Sequence, residues 1–213
     1  MAGSHPTKRK CHPTIKDEQR KCHPTKSEHM PENHTSDDPT TSKAILEMLT
    51  VAHEYCLFFE RTEAYRHNDI VNYFRKIAPL LYLKGSTLPD VEVTDDAWNE
   101  RFVTEEQWER VFKNLRDKLG DDDTYYVLDQ NNDTRQASLS DNMADIYQDM
   151  KDFVMLYQRG TMHARENAVS QVKELMATRW GPTLIDALKA CHVKYFKNLI
   201  DPDLFAGDSD WLL

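Results

Sequence analysis

The chain has 213 residues with 39% apolar content, enough for one hydrophobic core, so one domain with tails is expected. Residues 1–29 hold seven Lys/Arg and three Asp/Glu, whereas the remaining residues hold 20 Lys/Arg and 33 Asp/Glu. The folded part is therefore acidic and repels phosphate backbones, which disfavours nucleic acid as its partner. Because no run of 18 apolar residues and no apolar segment behind the basic N-terminal residues occurs, neither a membrane span nor export is indicated and a cytoplasmic location is predicted.

Residues 1–41 are predicted to form a disordered leader. The motif Cys-His-Pro-Thr occurs at Cys11 and again at Cys22. Structural zinc sites usually take ligands in pairs two to four residues apart, because a short turn must aim both side chains at one ion, and these adjacent Cys-His pairs lack that spacing. Beyond its first residue, the leader holds only Ile15 and Met30 as large apolar residues. We therefore expect neither a packed core nor a metal site here.

The leader also resembles cloning-vector sequence. "GSH" near the start and "HM" at His29 and Met30 are typical of vector joints. The polar stretch that follows Met30 would be an ordinary start for a native chain. This pattern indicates that residues 1–29 are vector-derived.

Helical periodicity begins at Ser42, which is placed to cap the first helix. The apolar stripe of that helix has the spacing of one helix face: Ile45, Met48, Leu49, Ala52, Tyr55, Cys56 and Phe59. A second helix, "NDIVNYFRKIAPLLYLKG", repeats the pattern. We expect Pro79 to kink or interrupt this helix and Gly85 to end it.

Four further helices follow. In "TEEQWERVFKNLRDKLG", Thr104 and Gln107 form a capping box and Gly120 ends the helix. The fourth helix spans "SDNMADIYQDMKDFVMLYQRG" and the fifth runs from about Thr161 to Arg179. "GPTLIDALKACHVKYFKNL" is the sixth, with Pro182 suited to its first turn.

These elements predict an all-α, single-domain bundle of about six helices over residues 42–200. Two long connections, 86–103 and 121–139, interrupt it. The pieces "PDVEVTD" and "TYYVLD" could each form a short extended segment there, and connections of this length often carry function. The leader and an acidic-apolar tail at 201–213 are expected to be flexible.

Several long strings resemble one bacterial family. "KIAPLLYLKGSTLPDVEV", "NERFVTEEQWERVF", "MADIYQDMKDFVMLYQ" and the stretch from "ENAV" to "WGP" are similar to domain-of-unknown-function family 5063, over about residues 44–198. The resemblance implies a helical fold. It brings no activity and no catalytic residues to this chain.

Acidic residues on two helices raise the possibility of a metal site. "EEQWE", with Glu105, Glu106 and Glu109, resembles half of the magnesium-binding pattern of all-α nucleotide pyrophosphatases. The expected second half, Glu-x-x-Asp on a following helix, is missing, and four aspartates of the fourth helix are the substitute: Asp141, Asp145, Asp149 and Asp152. At about 100° per residue these aspartates cluster away from the apolar stripe. We therefore predict that they face water, as do Glu106 and Glu109.

"DQNNDTR" matches the first part of a calcium loop. Asp129, Asn131 and Asp133 occupy its first three ligand positions. Thr134 stands where the loop requires glycine, however, and Ser140 stands where it requires a bidentate glutamate. A polar turn is predicted instead.

Two histidines are candidate functional groups. His192 lies in the apolar stripe of the sixth helix beside Cys191, but adjacent helical residues point about 100° apart, so the pair is not built to share a proton. We predict a hydrogen-bonded core histidine. His163 and Glu166 project away from the apolar side of the fifth helix and are predicted to be surface residues.

The tail "DPDLFAGDSDWLL" has the composition of a peptide that docks apolar anchors into a groove rimmed by positive charge. The candidate partner-binding residues are its apolar members: Leu204, Phe205, Trp211, Leu212 and Leu213. Two other outcomes stay open at this point. Phe205 and Trp211 could fold back on the bundle, which is the commoner arrangement, or the tail could be disordered.

The sequence contains no Gly-rich phosphate loop, no G-x-S-x-G elbow and no H-E-x-x-H motif. We therefore predict a cytoplasmic helical protein that serves as a protein-interaction or regulatory module, without a cofactor or metal and with an unidentified protein partner. The alternative is a magnesium-dependent nucleotide phosphohydrolase of the all-α type.

Overall fold

Six α-helices and one β-hairpin make up the part of the chain that the structure, a computed structural model, describes: residues 38–98, 100–128 and 131–196. In chain order they are α1 (Lys43–Phe59), α2 (His67–Ser86), α3 (Glu105–Leu119), β1 (Thr124–Leu128), β2 (Thr134–Ser138), α4 (Leu139–Tyr157), α5 (Met162–Thr178) and α6 (Trp180–Phe196). The described residues lie within one compact unit, and the prediction of an all-α, single-domain bundle is confirmed. None of the described helices combines the length and apolar character needed to cross a bilayer.

The core is built around α4, which packs against α1, α3, α5 and α6. Thirteen of its 19 residues are buried. A helix surrounded by others must be apolar on most of its circumference, and α4 meets this need with large side chains such as Met143, Ile146, Met150 and Phe153. The helix α2 packs against α1 and α6 at the edge of this arrangement.

The ends of α3 follow the prediction. Thr104 Oγ1 accepts a hydrogen bond from the Gln107 amide at 3.3 Å, and Gln107 Oε1 accepts one from the Thr104 amide at 3.2 Å. At the other end Gly120 has φ 53°, a left-handed conformation that glycine adopts without steric cost. Ser42 occupies the N-cap position of α1, as predicted, but its side chain makes no capping hydrogen bond.

The helix α2 is not interrupted at Pro79, which was one of the two predicted outcomes there, and it ends at Ser86, one residue beyond the predicted Gly85. The helix continues through Pro79 to Ser86, and Pro79 lies on its exposed side, where water can bind the carbonyl that proline leaves without a donor. Gly85 is buried within the last turn. A Cβ atom there would lie 2.8 Å from Met176 Sδ and 2.9 Å from Trp180 Cζ2, so this glycine serves close helix packing rather than helix termination.

The two long connections differ in structure. The first five residues of "TYYVLD" form β1 as expected. β1 pairs antiparallel with β2, in a register that runs from Thr124 opposite Ser138 to Leu128 opposite Thr134. Asn132, in the connection between the strands, has φ 63°, which asparagine tolerates. Of the predicted polar turn, residues 131–133 lie in this connection, whereas Thr134 and Arg135 belong to β2. "PDVEVTD" forms no strand.

Candidate functional site

Two aspartates of α4 are buried, contrary to prediction. Asp149 is 2% exposed and Asp152 is 8% exposed. The helix turns both residues toward arginines contributed by other segments: Arg101, which precedes α3, and Arg179, which follows α5. The prediction that these two acids face water is therefore wrong. It considered only the residues of α4, whereas the arginines that pair with the acids come from other segments of the chain.

The buried acids are held by short contacts. Arg101 Nη1 lies 3.0 Å from Asp152 Oδ2 and 3.5 Å from Asp149 Oδ1. Arg179 Nη1 lies 3.4 Å from the same Asp149 oxygen. Asp152 Oδ1 also accepts the amides of Phe102 and Val103 at 2.7 and 3.0 Å. Asp152 thus fastens the segment before α3 to the core.

The positive charge in this cluster comes from guanidinium groups. Burial raises the pKa of Asp149 to about 6, and the charges of Arg179 and Arg101 oppose that rise. Among the described residues no group of three or more His, Cys, Asp or Glu side chains is arranged to hold a metal ion. The arrangement is that of a structural ion-pair cluster.

Of the other acids of the metal hypothesis, only Asp145 borders this cluster, with its Oδ1 3.9 Å from Arg179 Nη2. The three glutamates of "EEQWE" are exposed on α3, as predicted for Glu106 and Glu109. Glu109 Oε1 pairs with Lys113 Nζ at 2.8 Å. Asp145 accepts a hydrogen bond from Trp108 Nε1 at 3.1 Å. These carboxylates do not converge on one point.

Glu166 and His163 hold the first long connection against α5. Glu166 is 3% exposed, so its predicted surface position is wrong. Its Oε2 accepts the amide of Thr94 at 3.0 Å and the hydroxyl of Thr94 at 2.6 Å. These hydrogen bonds, the Thr94 hydroxyl first, lower the pKa of Glu166. His163 Nδ1 lies 2.7 Å from the same hydroxyl oxygen.

His192 is exposed rather than buried. Its ring centroid lies 4.8 Å from that of Phe196, one turn further along α6, so the prediction of a core histidine is wrong. The neighbouring Cys191 is fully buried, and burial raises the pKa of its thiol to about 12. The two side chains occupy different environments and form no nucleophile-base pair.

A groove of about 660 Å³ lies between β1 and α6. We call it the β1–α6 groove. Its walls are the five residues of β1, Thr134 of β2 and five residues of α6: Asp186, Lys189, Ala190, Val193 and Lys194. The volume is in the range of sites that accept a ligand or a peptide segment.

The β1–α6 groove follows the edge of β1. Consecutive side chains of a strand point to opposite faces, so a groove bordered by every residue of β1 runs along its backbone. In the described part of the chain β2 is the only strand paired with β1. Lys194 Nζ donates a hydrogen bond to the Thr124 carbonyl at 3.3 Å, which places this carbonyl toward α6.

Large apolar side chains are exposed at this groove. Tyr126 is 69% exposed, Leu128 is 67% exposed, and Val193 on the opposite wall is 53% exposed. Aromatic and aliphatic side chains left in water beside an open strand edge are features of a binding surface. The only sequence signal for it was the run "TYYVL", which is apolar on both faces of a strand.

The predicted partner-binding residues of the tail, Leu204, Phe205, Trp211, Leu212 and Leu213, lie outside the described residues. So do Asp129, the first residue of the predicted polar turn, and the two Cys-His-Pro-Thr motifs. The predictions made for them stay predictions.

Comparisons with known proteins agree with the helical architecture. The model of a family described as Domain of unknown function (DUF5063) matches residues 39–197. A search of curated proteins finds no match. The crystal structure of protein BF1032 from Bacteroides fragilis is similar, with 35% sequence identity, a TM-score of 0.67, and coverage of 73% of this chain and 94% of that chain.

Proposed function

Since the chain belongs to the family described as Domain of unknown function (DUF5063), whose description assigns no activity, we propose its function from the geometry: it is a protein-interaction module that binds an extended peptide segment of a partner in the β1–α6 groove. The observation that carries this proposal is the open edge of β1 facing α6 beside exposed apolar side chains. An edge of this kind is a template for strand addition.

Strand addition accounts for both the open edge of β1 and the exposed apolar side chains beside it. The backbone of a bound peptide pairs with the amides and carbonyls of β1, which gives binding energy independent of sequence. The side chains of the bound peptide point alternately to its two faces, so that every second one contacts Tyr126 and Leu128 or Val193 on the α6 wall. A strand of five residues is about 17 Å long, and a peptide of five to seven residues fills it.

The charges of the groove favour acidic residues in the peptide. Lys189 and Lys194 line the α6 wall together with one acid, Asp186. Lys194 Nζ already lies 3.4 Å from Asp122 Oδ1, whereas Lys189 is exposed and forms no ion pair with any described residue. A carboxylate of the peptide would therefore pair with Lys189.

A cytoplasmic bacterial setting is part of the proposal. Cys56 and Cys191 are free thiols, both buried, which is the usual state of cysteine in a reducing compartment. The acidic body disfavours nucleic acid as the partner, and the similar protein comes from Bacteroides fragilis.

The alternative, a magnesium-dependent phosphohydrolase, finds less support in the geometry. Its catalysis would need carboxylates from facing helices gathered around one ion. Here the α3 glutamates point into solvent and the two buried α4 aspartates are paired with Arg101 and Arg179.

The test is a selection of displayed random peptides on the full-length protein, followed by fluorescence anisotropy with the selected peptides. We expect acidic-apolar sequences with micromolar Kd, about −8 kcal/mol. Val193→Asp should weaken binding at least tenfold, because it places a carboxylate in the apolar wall. Leu46→Asp, an equivalent change at an exposed residue of α1, is the matched control and should leave Kd within twofold.

A second pair of variants tests the charge. Lys189→Glu should weaken binding and reduce its dependence on salt, whereas Lys76→Glu, on the exposed side of α2, should change neither. A library that yields no binder, or binders that Val193→Asp and Leu46→Asp affect equally, contradicts the proposed function.

A further inference from the structure

We propose that the C-terminal segment of this chain, residues 197–213, occupies the β1–α6 groove in cis and so competes with the partner peptide. This inference rests on the proposed function of the groove. It assigns the tail to a site on its own chain and makes the groove self-regulated.

The position of the segment supports this assignment. The described part of α6 ends at Phe196, and Val193 and Lys194, in the last turn of that helix, line the groove. The segment therefore leaves α6 beside the groove that it would fill. From residue 197 to Phe205 the chain can span about 30 Å, well beyond the length of β1, and Asp201-Pro202 suits the turn that would send it back along the strand.

The composition of the segment matches the walls of the groove. Residues 201–213 contain four aspartates and no lysine or arginine. These acids are interspersed with Leu204, Phe205 and Trp211, so the segment offers apolar anchors to Tyr126 and Val193. The same segment offers carboxylates to Lys189. It thus has the features expected of the partner peptide.

Tethering makes even weak binding effective. A segment joined by a short linker has an effective concentration of about 1 mM. If the free segment bound with a Kd of about 100 µM, the groove would be filled in roughly nine molecules of ten. A competing peptide would then bind about tenfold more weakly than it binds an open groove.

The experiment compares the full-length protein with its Phe205→Ser/Trp211→Ser variant. Hydrogen exchange of the Thr124–Leu128 amides is measured by mass spectrometry, and the affinity of a selected peptide is measured by anisotropy. We expect at least tenfold faster exchange in β1 and about tenfold tighter peptide binding in the variant. Leu46→Ser, an apolar-to-polar change far from the tail in sequence, is the control and should alter neither.

The outcomes separate this inference from the proposed function. Equal β1 exchange and equal peptide affinity in both proteins overturn the self-occupancy while leaving groove binding intact. If no peptide binds either protein but β1 exchange still rises in the variant, the proposed partner function fails and the self-occupancy stands. Protection of β1 that grows with protein concentration, together with dimers in sedimentation, overturns occupancy in cis in favour of a second copy.

Discussion

The carboxylate of Asp149 on α4 lies between two partly exposed guanidinium groups, and its Oδ2 has no hydrogen-bond partner. Its charge is therefore only partly compensated. Burial raises its pKa to about 6, above the value of about 3.9 expected in the unfolded chain. For an acid this means that the folded state binds the proton more tightly than the unfolded state does.

The consequence is a loss of stability as pH rises. Between the unfolded and folded pKa values the unfolded chain releases its Asp149 proton while the folded chain retains it, so the free energy of unfolding falls. Asp149→Asn removes this titration. We expect the difference in unfolding free energy, wild type minus variant, to fall by about 2 kcal/mol between pH 4.5 and 7.5, as measured by urea denaturation at several pH values.

Asp117→Asn is the control for this series, because Asp117 is exposed on α3. The difference in unfolding free energy between wild type and this variant should not change between pH 4.5 and 7.5. A flat difference for Asp149→Asn as well would mean that the carboxyl group is ionised in the folded state throughout, contrary to the raised pKa.

This burial could not be predicted from the local sequence. The four-residue spacing of Asp141, Asp145 and Asp149 is typical of a solvated helix face, and two of these three are indeed not buried. Asp149 differs because Arg101 and Arg179 reach it from segments far away in the chain. Only the packing of α4 at the centre brings them together.

At the scale of elements, the packing of α2 against Trp180 explains why a glycine lies inside its last turn. Glycine near the end of a helical pattern usually marks its terminus, but Gly85 allows the ring of Trp180 to approach the backbone of α2. The Trp180 Nε1 donates to the Val172 carbonyl at 2.9 Å, which fixes the ring in place. The indole therefore cannot move aside without losing a buried hydrogen bond.

Gly85→Ala tests this packing. Alanine gains about 1 kcal/mol of helix propensity, whereas overpacking against Trp180 and Met176 costs about 1–3 kcal/mol. We expect a net destabilisation of up to about 2 kcal/mol in guanidinium denaturation. Ser86→Ala, at the exposed neighbouring residue, is the control and should change stability by less than about 0.5 kcal/mol. A stabilised Gly85→Ala variant would show that the helices are free to separate there.

Most helices were predictable because each has one strong apolar periodicity and a recognisable start, as at Thr104 and Thr161. The strand β1 was predictable from its aromatic and β-branched residues. Its partner β2, "TRQAS", was not, because it is polar and lies on the outside. The hairpin, and with it the groove, depends on that second strand.

At the scale of the whole molecule, the groove joins elements about 60 residues apart in the chain. The inward side of β1 packs on the bundle through Tyr125, which is buried. Asn142 of α4 donates a hydrogen bond to the Tyr125 hydroxyl. The hairpin is thereby held at the periphery with its free edge toward α6. Peptide binding at this edge adds a strand and requires no rearrangement of the core around α4.

Backbone amide NMR of the ¹⁵N-labelled full-length protein, titrated with a selected acidic-apolar peptide, tests the groove most directly. We expect the largest shift changes in Thr124–Leu128 and in Asp186–Lys194, with the amides of α1 and α3 unchanged. Shift changes confined to α1 or α3, or binding that leaves β1 and α6 unperturbed, would contradict the assignment of the β1–α6 groove as the binding site.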